Sequence, residues 1–168
     1  MKSKIGISAL ICLFVLSGVS YAAEKSAFVE IGKVFNEYEK TKELDGVLKA
    51  EGEAKSAERT KKIEQIQRLK DEMTLLADGG EEKRNKQASV DMKMRELKLF
   101  DEQARLSLQE KRDANLKEIF DDIETTIADY GKQKKYDFIF NDGALVYQNE
   151  TLNVTDVVLK ELNKGYQK

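Results

Sequence analysis

Nearly a hundred residues, from Val34 to Tyr130, run without a proline, and one interruption, Asp78-Gly79-Gly80, divides them. The run is dense in Glu, Lys, Ala, Gln and Arg, residues that give up little side-chain freedom on entering a helix. Paired glycines after an aspartate let the backbone take positive φ, so a long helix can stop and reverse there. Residues 34–130 therefore read as a coiled-coil hairpin, two long helices folded back on each other with the tip near 78–81.

Reversal at that tip fixes which residues meet. Residue numbers that add to about 159 lie side by side across an antiparallel hairpin. This brings Ile66 to Met92 and Met94, Leu69 to Val90, Ile63 to Leu97, Leu44 to Leu116, Tyr38 to Phe120 and Phe35 to Ile123. On the outgoing side, Ile66, Leu69, Met73 and Leu76 form a heptad seam. The returning side, Leu116, Ile119, Ile123, Ile127 and Tyr130, inserts an extra four-residue step, which loosens a left-handed supercoil. The middle of the arm is thinly apolar. Gly46 and Gly52 each cost about 1 kcal/mol of helix relative to Ala, so they are candidate hinges, with Gly79 and Gly80 forming the tip.

Before the arm, residues 1–22 have the three parts of a secretory signal peptide. Lys2 and Lys4 supply positive charge, Ile5 to Val19 an apolar core, and Ser20-Tyr21-Ala22 a small-residue cleavage site. Cleavage is expected after Ala22 or Ala23, an uncleaved membrane anchor being the alternative. Cys12 is the one cysteine and lies in the leader, so disulfides cannot hold the mature chain together.

Residues 23–33 and 131–168 are left to build a body. Ser26 to Ile31 is short, apolar and β-branched, and reads as a strand that feeds the outgoing helix. Gly131 is expected to end the returning helix. Tyr136 to Phe140 and Ala144 to Gln148 then read as two strands joined by Asn141-Asp142-Gly143, a strong hairpin signal. Thr155 is expected to cap a last helix with Val157, Val158 and Leu162 on one face. The fold class is α+β, a helical hairpin on a small β body. A body of roughly 45 residues is near the size at which domains need staples or partners. Association is therefore expected, with strands of several chains sharing one barrel.

Chemistry is sparse. The chain has no histidine, which removes the commonest general base and transition-metal ligand. It carries neither a Walker-type phosphate loop nor a Gly-x-Ser-x-Gly elbow. Its carboxylates are interspersed with Lys and Arg, as on a solvated helical surface. No enzymatic activity, cofactor, metal or nucleic-acid partner is expected.

The signal peptide, the strand Ala27-Phe-Val-Glu-Ile31 entering a helix and the long charged hairpin are joined by a characteristic ending. That ending is Tyr136-Asp-Phe-Ile-Phe140, Ala144-Leu-Val-Tyr147 and Leu152-Asn-Val-Thr-Asp-Val-Val-Leu-Lys-Glu-Leu162. Together they resemble the Skp (OmpH-like) periplasmic chaperones over essentially the whole mature chain. The resemblance implies a homotrimer with a β-barrel body and three helical arms around a cavity. It also implies a periplasmic, ATP-independent holdase for unfolded outer-membrane β-barrel proteins. Phe28, Val29, Ile31, Phe138, Phe140, Val146 and Val158 are then the expected trimer core.

A holdase needs apolar side chains that remain outside the seam. Leu75, Met94, Leu99, Phe100, Leu106 and Met73 are the candidates for client contact. A structural or tethering coiled-coil protein of the cell envelope is the alternative, since a spacer needs only its seam. Charge separates this chain from the family's strongly basic members. Losing Lys2 and Lys4 with the leader leaves 27 basic against 31 acidic residues, a net charge of −4. Residues 55–98 carry 12 basic and 9 acidic groups, so only weak contact with a membrane surface is expected.

Overall fold

The computed structural model describes residues 24–166. The expected leader, its cleavage site and Cys12 lie outside the described residues. The described chain is mostly helical. Strand β1, Ser26–Val29, leads into a short helix α1, Ile31–Glu37. Helices α2, Glu39–Thr74, and α3, Glu81–Lys134, form the hairpin arm. Strand β2, Phe138–Asn141, two 3-10 turns at Asp142–Ala144 and Glu150–Leu152, and helix α4, Thr155–Tyr166, complete the order.

The arm turns where the glycines allow it. Gly79 has φ 77, a left-handed value that favours glycine, and Gly80 is the extended residue from which α3 starts. Lys83 pairs with Asp78 across the turn. Leu76 was expected in the outgoing seam, but α2 stops at Thr74 and both Leu75 and Leu76 belong to the tip. The ion pairs Glu72–Lys86, Arg59–Asp101 and Glu51–Lys111 bridge the two helices close to the register set by the tip. Ile66 and Val90 are the buried residues of the distal seam. Nearer the base the pairing departs from that register: Phe35 stacks on Phe120, the residue expected beside Tyr38, with ring centroids 5.4 Å apart, and Tyr38 meets Asp122 instead.

Four further boundaries differ from expectation. The outgoing helix breaks at Tyr38, whose φ −62 and ψ 126 are extended, so α1 and α2 are separate elements. Gly131 does not end α3. It is buried one turn before the end, where a Cβ would lie 3.3 Å from Ile139 Cδ1. Lys135, at φ 56, closes the helix instead.

The expected hairpin of two strands after residue 136 is replaced by a parallel pairing. β2 runs beside β1, with Ser26 opposite Phe138 and Val29 opposite Asn141. Asn141 Oδ1 accepts from the Gly143 N–H, and the 3-10 turn that follows lacks the twist of a two-residue hairpin loop. Residues 145–148 therefore leave β2 without forming a strand.

Thr155 is the first residue of α4, not its cap. Its hydroxyl accepts from the Glu30 N–H at 2.9 Å, and Asn153 Oδ1 takes the Thr155 N–H. The α4 start is thereby sewn to the β1–α1 junction, where Val154 N–H also donates to Phe28. Ala27, Val29, Val34, Tyr38, Ile119, Ile123, Val154, Val158 and Leu162 form one core between the sheet, α1, α3 and α4. It sits at the base of the arm.

Candidate functional site

Three surfaces stand out. The first is the arm. Between antiparallel helices only one stripe per helix can face its partner, so any other apolar side chain meets solvent. Leu75 at the tip is 86% exposed and Leu99 57%, with Met94 and Leu106 also exposed. Met73 and Phe100 are half-buried. Lys55 and Lys62 place their ammonium groups 5.7 and 5.1 Å from the Phe100 ring centroid, so this aromatic carries two cations on the arm surface. Val47 and Met92 are exposed as well. Met92 was expected opposite Ile66 in the seam, and Val47 was not singled out in the sequence.

Gly46 and Gly52 lie inside α2 with nothing near enough to touch an added Cβ. Neither takes a positive φ. Their place in the helix is thus not required by backbone geometry or packing, and their effect is to lower local helix stability.

The second surface is the face of the body. The seven residues expected at a trimer core divide into two groups. Phe28, Val29 and Val158 are buried within the single chain, and Ile31 packs against the same core. Phe138 and Phe140 are 51% and 40% exposed, stacked on each other at 5.9 Å, and Val146 is fully exposed. Tyr147 and Leu152 are exposed beside them. Strand alternation explains the pair: positions 138 and 140 share one face of β2, while Ile139 points back to Gly131. Phe28 takes the same outer face of β1 and lines a cavity of 230 Å³ with Phe140, Leu145 and Leu152.

The third surface is the neck, which the sequence did not flag. Tyr38 is buried, and its hydroxyl donates to Asp122 Oδ2 at 3.0 Å. Burial, reinforced by the Asp122 carboxylate, pushes the Tyr38 phenol up to about 12. Lys40 reaches across to Glu118 at 2.6 Å and Asp122 at 2.7 Å. Burial opposes its charge, but the hydrogen bonds it donates to these two carboxylates win and raise its pKa above the ordinary lysine value. Tyr166 of α4 packs edge-on to Tyr38 and donates to Glu43 Oε2, which raises its own pKa. These groups fasten three helices together. Their donors and acceptors are satisfied by one another, which suits a structural knot better than a proton-transfer site.

Among the described residues no group of His, Cys, Asp and Glu has the arrangement to hold a metal ion. Among them, too, no helix is long and apolar enough to cross a membrane.

A family model described as Outer membrane protein (OmpH-like) matches residues 25–162. No curated protein matches the sequence. Among solved structures, the chain resembles a crystal structure from Caulobacter crescentus CB15 described as that of a candidate outer membrane chaperone (OmpH-like). The TM-score is 0.76 at 15% identity, and the match covers 86% of each chain. At that identity the likeness is one of fold.

Proposed function

The chain belongs to the OmpH-like outer membrane protein family, and from that premise we propose that it is an ATP-independent periplasmic holdase for unfolded outer-membrane β-barrel proteins. The observation that carries this reading is the set of apolar side chains left outside the arm's seam. Leu75, Met94, Leu99 and Leu106 are exposed from the tip down to the middle of the arm. A spacer would gain nothing from them. A strand destined for a barrel alternates apolar and polar residues and stays adhesive until it reaches the membrane. Many weak contacts along a flexible surface can hold such a chain without trapping it, and Met is well suited to that role.

Assembly into a homotrimer accounts for the second surface. Phe138, Phe140, Val146, Tyr147 and Leu152 form an exposed apolar face on the body, and such faces mark association sites. Three bodies joined there would hold three arms about one axis. At 1.5 Å per residue, the 36 residues of α2 reach about 54 Å, long enough to enclose a disordered chain. A leader removed after Ala22 or Ala23 would deliver the protein to a compartment without ATP, consistent with a mechanism that needs only binding.

The test is light scattering of a barrel protein diluted from urea, with and without the assembled mature protein. Suppression at stoichiometric amounts is expected. Replacing Leu75, Met94, Leu99 and Leu106 by Ser should weaken it several-fold. Failure of the wild type to suppress scattering would leave the envelope-tether reading in its place. Full protection by the Ser variant would move the contact surface elsewhere on the arms.

A further inference from the structure

Helix α3 carries a second apolar stripe besides the one in the seam. Val90 is buried in the seam, and Leu97 and Ala104 are half-buried along the same line. Met92, Leu99 and Leu106 each stand two positions further on, about 200° round the helix at 3.6 residues per turn. All three are exposed, on the back of the arm away from α2. They recur every seven residues, the spacing of a coiled-coil seam that lacks its second helix.

The charges along one flank of this stripe have an order of their own. Asp91, Arg95, Glu102 and Arg105 are exposed there. Asp91 takes a hydrogen bond from Gln87 on the same helix. None of the four enters the arm's ion pairs among the described residues. Mirrored about Leu99, Arg95 answers Glu102 and Asp91 answers Arg105, with the sign reversed each time. Such a flank is complementary to its own reverse.

We propose that the back of α3 docks on the same surface of a second copy, so that arms from two bodies pair antiparallel across a two-fold axis at Leu99. Residues whose numbers add to about 198 then meet. Met92 falls against Leu106 at both ends. The two-fold axis keeps the same flank of each helix together, so Arg95 meets Glu102 and Asp91 meets Arg105, each twice. Lys98 meets its own copy near the axis, and Glu102, one turn along the same helix, offsets that like pair. A parallel pairing would instead set Arg95 on Arg95 and Glu102 on Glu102, so charge selects the antiparallel direction. The overlap also fits the arm. Glu81, where α3 starts, falls opposite Lys117, just before the neck residues Glu118 and Asp122. One stripe from each helix makes a small, transient interface, which several arms on one body strengthen together. The pairing belongs to the empty protein and does not depend on what the arms hold.

The experiment uses the full mature chain in its native assembly, from residue 23 or 24 onward, where no cysteine occurs. Mild oxidation of single cysteines at exposed positions traps the contact. Leu99→Cys should give disulfide-linked pairs of chains. Met92→Cys and Leu106→Cys should each give little alone, and linked pairs when the two are mixed after assembly. Linkage in Met92→Cys alone that equals that of Leu99→Cys marks a parallel contact and overturns the proposal, as does an absence of linkage in the mixture. Arg95→Glu in the Leu99→Cys background should slow linkage several-fold, and adding Glu102→Arg should restore it. An unchanged rate in Arg95→Glu overturns the register selected by charge. If no sample links while Met92→Ser weakens the suppression of scattering, the stripe belongs to an unfolded client and the pairing is overturned.

Discussion

The Tyr38 hydroxyl donates to the Asp122 carboxylate across 3.0 Å, tying the break in the outgoing helix to the unbroken returning one. This bond exists only while the phenol keeps its proton. A tyrosine in an unfolded chain titrates near 10, whereas burial and Asp122 hold Tyr38 up to about 12. Because the folded value is the higher one, the stabilisation is complete below about pH 10 and is lost as pH rises through about 12. The melting temperature should fall more steeply across that window in the wild type than in Tyr38→Phe. Tyrosinate absorbance should show one fewer late-titrating phenol in the variant than in the wild type. Parallel declines in the two proteins would remove Tyr38 as the source.

Thr155 is 1% exposed, and its hydroxyl receives the Glu30 N–H. Thr155→Val keeps the shape but strands that donor, at a cost of about 1–3 kcal/mol. Thr155→Ser keeps the acceptor and should lose much less. Denaturant midpoints of the two variants measure the difference, and equal losses would assign the effect to packing of the methyl group.

Glycines at three positions should respond in opposite directions. Gly46→Ala and Gly52→Ala place a Cβ in open space inside α2, and each should stabilise the arm by about 1 kcal/mol. Gly131→Leu pushes a side chain into Ile139 and should cost about 1–3 kcal/mol. Hydrogen exchange resolves the two regions. Slower exchange around residues 44–56 in the Ala variants is the expected sign.

Phe138 and Phe140 are about half exposed in the single chain, so truncating them removes little from its own core. Phe138→Ala and Phe140→Ala should change the chain's own fold by less than about 1 kcal/mol while shifting the assembly toward monomer in sedimentation at micromolar concentration. Full assembly in both variants would place the association face elsewhere.

Local chemistry explains which features could be read in advance. Asp78-Gly79-Gly80 announced the tip because it is the one paired glycine of the run, preceded by an aspartate, where a positive φ and a reversal are cheap. The pairing of α2 with α3 followed from it. The break at Tyr38 carries no such mark, since Phe35-Asn-Glu-Tyr-Glu-Lys40 contains neither Pro nor Gly. It is stabilised by Asp122 and Asn163, which lie far away in sequence. Ala144 to Gln148 has strand-like residues, but a strand also needs a neighbour, and the 3-10 turn at Asp142–Ala144 does not return the chain along the free edge of β2. Phe28 and Phe140 read alike as apolar strand residues. Only the folded body shows that the first is buried and the second half open. On the arm, exposure of Leu75 and Leu99 was foreseeable from the width of a seam, whereas Val47 and Met92 were not.

The pairing of β1 with β2 joins residues more than a hundred positions apart in the chain. Closing so long a loop by diffusion is entropically costly, and contacts of high sequence separation slow folding. The arm changes that arithmetic. Once Gly79 turns the chain, α2 and α3 can zip locally from the tip, each new turn needing only its immediate neighbours. By the time zipping reaches Tyr38 and Asp122, the gap between Ser26 and Phe138 has shrunk from 112 residues to 12 on one side and 16 on the other. The hairpin is then a folding pathway as well as a limb, and its ladder of ion pairs doubles as an alignment guide. A one-turn slip at the tip would be transmitted along the arm and deliver β1 to the wrong partner.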